Sequence, residues 1–284
     1  DSSIELSSDV LTVTGSLTNY GTISHSSTDS LAVGTFSNYG TVNYGSSGRI
    51  TDGTNAINDV ENGGTVVYSG GTAGSPQTVT DFSSSGADYG NIVISGVFSF
   101  SDDISVSGNL SFTDGASGSG TGVLSVTGTT QISNGTGNTI SFTGANSFDD
   151  TVTLSDAGNL VLSGENVFAK PVIITSGGEI TLNSSGILLL GTSENFISCG
   201  SLSLLCDATS QNSMSITNTL SLADGKTLSA AGAISSGTLT NNGTIDIGGN
   251  ALSFASYQGN SGGTDTIKSA DGTITANGTS ADRK

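Results

Sequence analysis

Few side chains in this chain of 284 residues could perform catalysis. The chain has one histidine, His25, and two cysteines, Cys199 and Cys206. It also has two pairs of adjacent acids, Asp102–Asp103 and Asp149–Asp150. Paired carboxylates act as acid and base in polysaccharide-active enzymes, and an imidazole can act as a base at neutral pH. These residues define the chemistry that the fold would have to assemble.

The spacing of these residues argues against an active site. A catalytic histidine needs an orienting partner and a nucleophile, and no GxSxG turn accompanies His25, which we interpret as an ordinary residue of the fold. Neighbouring residues of a strand point to opposite faces, so neither Asp102–Asp103 nor Asp149–Asp150 forms a dyad by itself. The six Lys and Arg residues are dispersed and Trp is absent. We therefore predict no catalytic residues and no enzyme activity.

Two alternatives stay open for the cysteines. A zinc site would need four suitable ligands, and His25 is far from both cysteines in the sequence. Cys199 and Cys206 either form a disulfide that closes a short loop or point inward as small apolar side chains. The repeated calcium-binding nonapeptide of β-rolls is also missing. We predict no metal site and no cofactor.

The charge balance excludes several classes of partner. Six basic residues stand against 24 acidic ones, which gives a formal net charge of −18. Nucleic acids and anionic lipid surfaces are bound through Lys and Arg, so neither is an expected partner. No segment reaches the roughly 20 apolar residues that span a bilayer, so we expect no direct membrane insertion. The chain opens on Asp1 without a signal peptide, and we interpret it as part of a longer, processed protein.

Apolar residues alternate with Ser, Thr and Asn along most of the chain. Examples are VFSFSDDISVSGNLSF (97–112) and TVTLSDAGNLVLSG (151–164). A period of two bounded by Gly, Asn and Asp is typical of half-buried strands separated by turns, and we find no helical periodicity. The sequence therefore predicts an all-β protein.

A short turn motif is repeated. It appears as LTNYGTI (17–23), FSNYGTV (36–42), VENGGTV (60–66) and LTNNGTI (239–245). Gly and Asn tolerate the left-handed backbone conformation, so we expect them in equivalent sharp corners of a solenoid, with Asn side chains hydrogen-bonded as a ladder. These structural turn positions are Asn19, Gly21, Asn38, Gly40, Asn62, Gly64, Asn241 and Gly243.

The first two copies are 19 residues apart, which fits one solenoid coil. At about 20 residues per coil, the chain would form about 12–14 coils in a single domain over residues 1–284. Parallel crossovers are overwhelmingly right-handed, so we predict a right-handed parallel β-helix. Two segments, 44–59 and 69–90, interrupt the alternation and are predicted as loop excursions.

The N-x-G-T-I/V corner, the Ser/Thr/Gly-rich alternation, the acidic balance and the scarcity of Cys resemble bacterial surface β-helices. These include autotransporter passenger domains and filamentous-haemagglutinin-like exoproteins, and the resemblance covers essentially the whole chain. It implies secretion across the outer membrane and display at the bacterial cell surface as an adhesive or scaffold rod. Closely spaced Cys pairs also occur in some passenger domains.

We therefore predict an extracellular adhesin or surface-display rod. Its partner would be a cell-surface or matrix protein or a glycan, bound by loops on a rigid scaffold. The best loop candidate is Ser69 to Gly90. The first alternative is a polysaccharide-active β-helix lyase or glycoside hydrolase. The second alternative is a structural filament or surface-layer component that self-associates through the ends or sides of the solenoid.

Overall fold

The computed structural model describes residues 3–7, 12–47, 50–51, 63–79, 89–156, 158–163, 166–169, 172–174, 179–183, 188–190, 197–199, 201–204, 207–210, 213–259 and 265–276. All regular secondary structure in these residues is β, and they contain no helix. Parallel strands stack into a β-solenoid of about ten turns. The all-β, β-solenoid prediction is therefore confirmed.

One face of the solenoid, which we call the first face, runs through the whole described chain. Its fourteen parallel strands are β1 (Ser3–Leu6), β3 (Thr22–His25), β5 (Thr41–Tyr44), β7 (Thr65–Tyr68), β9 (Asn91–Ile94), β12 (Leu110–Phe112), β15 (Thr130–Ile132), β18 (Val152–Leu154), β21 (Val172–Ile174), β24 (Ile197–Cys199), β27 (Met214–Leu222), β29 (Ile234–Asn241), β31 (Leu252–Gly259) and β33 (Ile274–Ala276).

Two further faces complete the cross-section. The second face comprises β8 (Gln77–Thr78), β10 (Val97–Phe100), β13 (Ser117–Gly120), β16 (Ile140–Phe142), β19 (Asn159–Ser163), β22 (Glu179–Asn183), β25 (Ser201–Leu204) and the C-terminal halves of β27, β29 and β31. The third face comprises β11 (Ile104–Val106), β14 (Leu124–Val126), β17 (Asn146–Phe148), β20 (Asn166–Phe168), β23 (Leu188–Leu190), β26 (Ala208–Ser210), β28 (Thr227–Ala230), β30 (Thr244–Asp246) and β32 (Thr266–Lys268).

The N-terminal coils pair through a separate small sheet. It comprises β2 (Thr12–Asn19), β4 (Leu31–Asn38) and β6 (Ile50–Thr51). The predicted 12–14 coils exceed the roughly ten turns in which all three faces are built. The first face is longer because β1, β3, β5 and β7 extend it toward the N terminus. The right-handed coiling stays a prediction.

The core is a column of inward side chains that follows the alternation of the strands. Within β10, Phe98 and Phe100 are buried while Ser99 between them is partly exposed. Most other strands of known burial alternate in the same way. Each buried Val, Ile, Leu or Phe contributes about 1.5–3 kcal/mol of transfer free energy. One coil holds too few of them to offset its own ordering entropy, so each coil depends on its neighbours.

A cluster of phenylalanines packs around a strand that has glycines at its inward positions. Gly120 of β13 pairs with Phe100 on one side and Phe142 on the other. The rings of Phe100 and Phe142 lie 5.6 Å apart between centroids, although two strand spacings are about 9.6 Å. The rings approach because Gly120 has no side chain, and the ring of Phe100 occupies the space where its Cβ would lie.

The repeated turn motif is held by one set of hydrogen bonds. The N–H of Gly21 donates to Asn19 Oδ1 (3.0 Å), and Gly40 N–H donates to Asn38 Oδ1 (3.2 Å). Asn19 Nδ2 donates to Asn38 Oδ1 (2.8 Å), and both side chains are buried. Each Asn also reaches the next coil, because Asn19 Nδ2 donates to Thr41 O (3.0 Å). The predicted Asn ladder is thus present between the first two copies.

The fourth copy of the motif uses the same bonds at a different corner. Gly243 N–H donates to Asn241 Oδ1 (3.1 Å), and Asn241 Nδ2 donates to Thr266 O (3.3 Å). However, Asn19 and Asn38 precede strands of the first face, whereas Asn241 lies between the second and third faces. The expectation of equivalent corners is therefore wrong for Asn241, because the motif specifies a local turn that any corner can adopt. Asn62 lies outside the described residues.

The predicted left-handed conformation is also wrong at the described Asn and Gly positions of the motif. Among the described residues other than glycine, Asp156 alone has a positive φ. Gly40, Gly64 and Gly243 do not have a positive φ. Glycine is needed there because successive corners approach closely. A Cβ on Gly40 would overlap the carbonyl oxygen of Gly21, and one on Gly64 would lie 2.5 Å from Asn38 Nδ2. Gly63 does adopt φ +78°.

A second buried Asn pair lies on the third face. Asn146 Nδ2 donates to Asn166 Oδ1 (2.7 Å), one coil away. Asn146 Oδ1 accepts a hydrogen bond from the backbone N–H of Leu124 (3.3 Å) on the other side. This ladder was not predicted.

Short parts of the two predicted excursions pair with strands of the solenoid. Within 44–59, β6 pairs with β4 and so belongs to the solenoid. Within 69–90, β8 pairs with β10, and Tyr89 is buried and bridges to Val106. Residues 52–62 and 80–88 lie outside the described residues.

We predict that Asn38→Ala lowers the free energy of unfolding by about 1–3 kcal/mol, because the Gly40 N–H and Asn19 Nδ2 lose a buried acceptor. Urea denaturation followed by circular dichroism measures the change. The matched control is Asn43→Ala, since Asn43 lies at an outward, partly exposed position of β5. Equal stability of the two variants would show that the ladder contributes nothing.

Gly40→Ala should destabilise the fold by about 1–3 kcal/mol through overpacking, because its Cβ meets the backbone of Gly21. The control is Gly15→Ala in β2, where nothing lies within 4 Å of the added Cβ and φ is ordinary. The readout is the shift in the midpoint of denaturant unfolding. A midpoint for Gly40→Ala that matches Gly15→Ala would refute the proposed close approach.

Candidate functional site

Three segments converge at the corner that follows the first face in successive coils. They are Thr28 after β3, Gly45–Ser47 after β5 and Gly71–Thr78 after β7. Together they line a groove of about 420 Å³, which we call the corner groove. Its lining residues are Thr28, Gly45, Ser46, Ser47, Gly71, Thr72, Ser75, Pro76, Gln77 and Thr78. The predicted loop Ser69 to Gly90 therefore supplies more than half of the lining.

One wall of the corner groove is a small projecting hairpin. The backbones of Thr72 and Ser75 exchange two hydrogen bonds of 3.0 Å, so Ala73 and Gly74 form its tip. Gly71 adopts φ +86°, a conformation that glycine accepts without a steric penalty. Residues 71–76 are exposed. The hairpin is thus an exposed part of this corner.

Gln77 fixes the hairpin to the preceding coil. Its side chain is buried, and Nε2 donates to Tyr44 O (2.9 Å) and Ser46 O (2.7 Å). Its Oε1 accepts a hydrogen bond from Gly70 N–H (2.9 Å). These three bonds join the segments after β5 and β7. Gln77 was not singled out from the sequence, because a glutamine among Ser, Thr and Pro gives no periodic signal.

The lining chemistry of the corner groove suits a neutral, polar ligand. Six of the ten lining residues are Ser or Thr, and the others are Gly45, Gly71, Pro76 and Gln77. None of the lining residues is charged or aromatic. Such a surface offers hydrogen-bond donors and acceptors without selecting a charge.

The acidic pairs lie at two different corners. Asp102 and Asp103 connect the second face to the third, whereas Asp149 and Asp150 connect the third face to the first. Asp103 Oδ1 accepts a hydrogen bond from Val123 N–H (2.8 Å), and Asp150 Oδ1 accepts one from Thr151 N–H (2.7 Å). The first bond joins two successive corners and the second is local to one turn, and the structure does not bring the two pairs together.

His25 lies inside the core. It ends β3, is 2% exposed, and continues an aromatic column in which its ring centroid is 6.1 Å from that of Tyr44. Tyr44 in turn lies 5.6 Å from Tyr68, whose hydroxyl is 2.6 Å from that of Tyr89. His25 is therefore remote from solvent and contributes to packing.

The predicted cysteine pair cannot be placed. Cys206 lies outside the described residues, and Cys199 is described only as the last residue of β24. The choice between a disulfide and two inward thiols stays a prediction. Among the described residues, no group of three or more His, Cys, Asp or Glu side chains could hold a metal ion. No helix that is long and apolar enough to cross a membrane occurs in that part of the chain.

A tyrosine–carboxylate pair lies near the C-terminal coils. The Tyr257 hydroxyl donates to Asp265 Oδ2. Burial, and then the hydrogen bond and negative charge of Asp265, raise the pKa of Tyr257 to about 12. The phenol is therefore protonated at neutral pH and acts as a donor that joins the end of β31 to the residue before β32.

The sequence matches no protein-family model, no curated protein and no solved structure.

We predict that Gln77→Ala releases the hairpin without unfolding the solenoid, because the three bonds of Gln77 are local to this corner. Hydrogen exchange followed by mass spectrometry should show faster exchange in peptides that cover residues 69–79. The control is Gln131→Ala, at an exposed position of β15. Unchanged protection of 69–79 would contradict the anchoring role.

Proposed function

We propose that the chain is a rigid rod of an extracellular bacterial surface protein, which binds host or neighbouring-cell surfaces through the corner groove. In this proposal the protein is an adhesin of the autotransporter-passenger or filamentous-haemagglutinin-like type. The observation that carries the proposal is the groove itself, a polar recess built by excursions from an otherwise continuous solenoid. The enzyme and filament alternatives stay predictions.

The scaffold supports a display function. Fourteen strands of the first face at about 4.8 Å each give a stack of about 60 Å. Binding segments placed on a rigid scaffold keep their relative geometry, so less ordering entropy is lost on binding. Rows of outward Ser and Thr and a net charge of −18 favour solubility outside a cell.

The lining of the corner groove favours a glycan over an anionic or strongly apolar partner. A glycan presents hydroxyl groups, which match the hydroxyl-bearing Ser and Thr residues of the groove. The volume of about 420 Å³ lies in the range of small-ligand sites. Glycans on a host cell or matrix protein are therefore the partner that we propose.

The test is adhesion of protein-coated fluorescent beads to cultured host cells and to immobilised matrix. Thr72→Arg places a long side chain over the groove. It should reduce bead adhesion roughly fivefold or more, which corresponds to the loss of one or two hydrogen bonds to the ligand. Oxidising the cell-surface glycans with periodate should reduce adhesion of the unsubstituted protein to the same level.

The matched control is Ala73→Arg at the hairpin tip. Ala73 is exposed and does not line the groove. Arginine at this position adds the same charge and bulk as Thr72→Arg, one residue further along the hairpin. Circular dichroism should show that both variants are folded. Adhesion that is equal for Thr72→Arg and the unsubstituted protein, or lost equally in Ala73→Arg, would refute the role of the groove.

A further inference from the structure

A pair of exposed tyrosines stacks at another corner of the N-terminal coils. Tyr20 and Tyr39 occupy the variable position of the first two Asn-x-Gly-Thr turns. Their ring centroids are 4.9 Å apart and their planes differ by 13°. Tyr20 is 75% exposed and Tyr39 is 46% exposed. We call these residues the tyrosine pair.

The stack runs along the solenoid axis, and the following coil has a glycine at the corresponding position. The centroid separation equals about one strand spacing, so the rings lie roughly across the axis. Because Thr41 pairs with Thr65, the residue that corresponds to Tyr39 in the next coil is Gly63. Gly63 has no side chain, and among the described residues nothing lies within 4 Å of the position that its Cβ would occupy. In the described part of the chain, the position that follows Tyr39 along the axis therefore carries no side chain.

The surroundings of the tyrosine pair are polar. Thr22, Thr41 and Thr65 form an outward, partly exposed row that follows the tyrosines by two residues. Thr18 and Ser37 form a shorter row that precedes them by two residues. A flat apolar surface between two rows of hydroxyls matches a ligand that has an apolar face and a hydroxyl-bearing rim.

We propose that the tyrosine pair is a saccharide subsite, where a pyranose ring stacks on Tyr39 in the space left by Gly63. An all-equatorial pyranose presents C–H groups on its faces and hydroxyls at its edge, so it meets both the ring and the Ser/Thr rows. A nucleobase has a similar flat face, but its phosphates would be repelled by a chain with a net charge of −18. Anionic polysaccharides are disfavoured for the same reason.

This subsite is separate from the corner groove. The tyrosine pair lies before the first-face strands β3 and β5, whereas the groove lies after them. The two sites can therefore be tested independently, and either can fail without the other.

The experiment titrates the full chain with cellohexaose and with chitohexaose, and uses mannitol as an open-chain polyol without a ring face. Saturation-transfer NMR with irradiation of aromatic protons identifies the ligand protons that contact the rings. We expect the ring C–H protons of both hexaoses to receive the strongest transfer and mannitol to receive none. Isothermal titration calorimetry measures Kd.

Tyr39→Ala should weaken binding about tenfold, the scale of removing one aromatic stacking surface. Tyr20→Ala should weaken binding less, because Tyr20 supports the Tyr39 ring from the opposite side and does not contact the sugar. Tyr39→Phe should bind within about twofold of the unsubstituted chain, because stacking needs the ring and not its hydroxyl. Gly63→Asn should also weaken binding, since asparagine tolerates a positive φ and its side chain fills the space. Circular dichroism checks that each variant folds.

Thr72→Arg provides the control for the other site and should bind the hexaoses normally. Loss of binding in Thr72→Arg with full binding in Tyr39→Ala would place the sugar in the corner groove and overturn the inference. It is equally overturned if neither hexaose binds at millimolar concentration, or if mannitol receives the same transfer as the hexaoses.

Discussion

Each coil of this solenoid lies within one strand spacing of the next, and that close approach constrains what can occupy every position. Inward side chains must share a continuous core with the residues directly above and below them. At the corners the backbones themselves nearly touch, so Gly40 lies against Gly21 and Gly96 against Gly70. Polar groups at the corners must then find partners in the adjacent coil, as Asn19 does in Asn38. Stability is therefore distributed over the contacts between neighbouring coils.

The same constraint determines where binding sites can arise. Residues within the strands are held in register on both sides, so they cannot move or be extended. The corners tolerate insertions, and three consecutive corners after the first face combine to form the corner groove. Gln77 shows how such an insertion stays ordered, because it bonds to backbone groups of the coil that it covers. The tyrosine pair is a second consequence, since identical residues one coil apart stack at the strand spacing.

The sequence predicts the fold class well because alternation is a local signal. The buried Phe98 and Phe100 and the partly exposed Ser99 follow directly from it. The repeat predicts the Asn turn but not its place, because the turn is local, whereas the corner it occupies depends on how many residues earlier coils contain. The motif alone suggests that Gly40 is needed for its backbone conformation. In the structure Gly40 is needed because its corner contacts another coil. The hydrogen bonds of Gln77 join residues that are 31 and 33 positions apart in the chain, so no local sequence pattern predicts them.

The most direct test of in-register stacking is a set of distances between spin labels on one outward row of the first face. Ser111 and Ser215 are five strand spacings apart, and Ser111 and Ser253 are seven. With Cys199 and Cys206 replaced by serine, pulsed electron paramagnetic resonance should give two narrow distributions near about 24 and 34 Å. Their difference of about 10 Å is independent of the label linkers. Broad distributions, or distances that do not increase with the number of coils, would contradict the stacked solenoid.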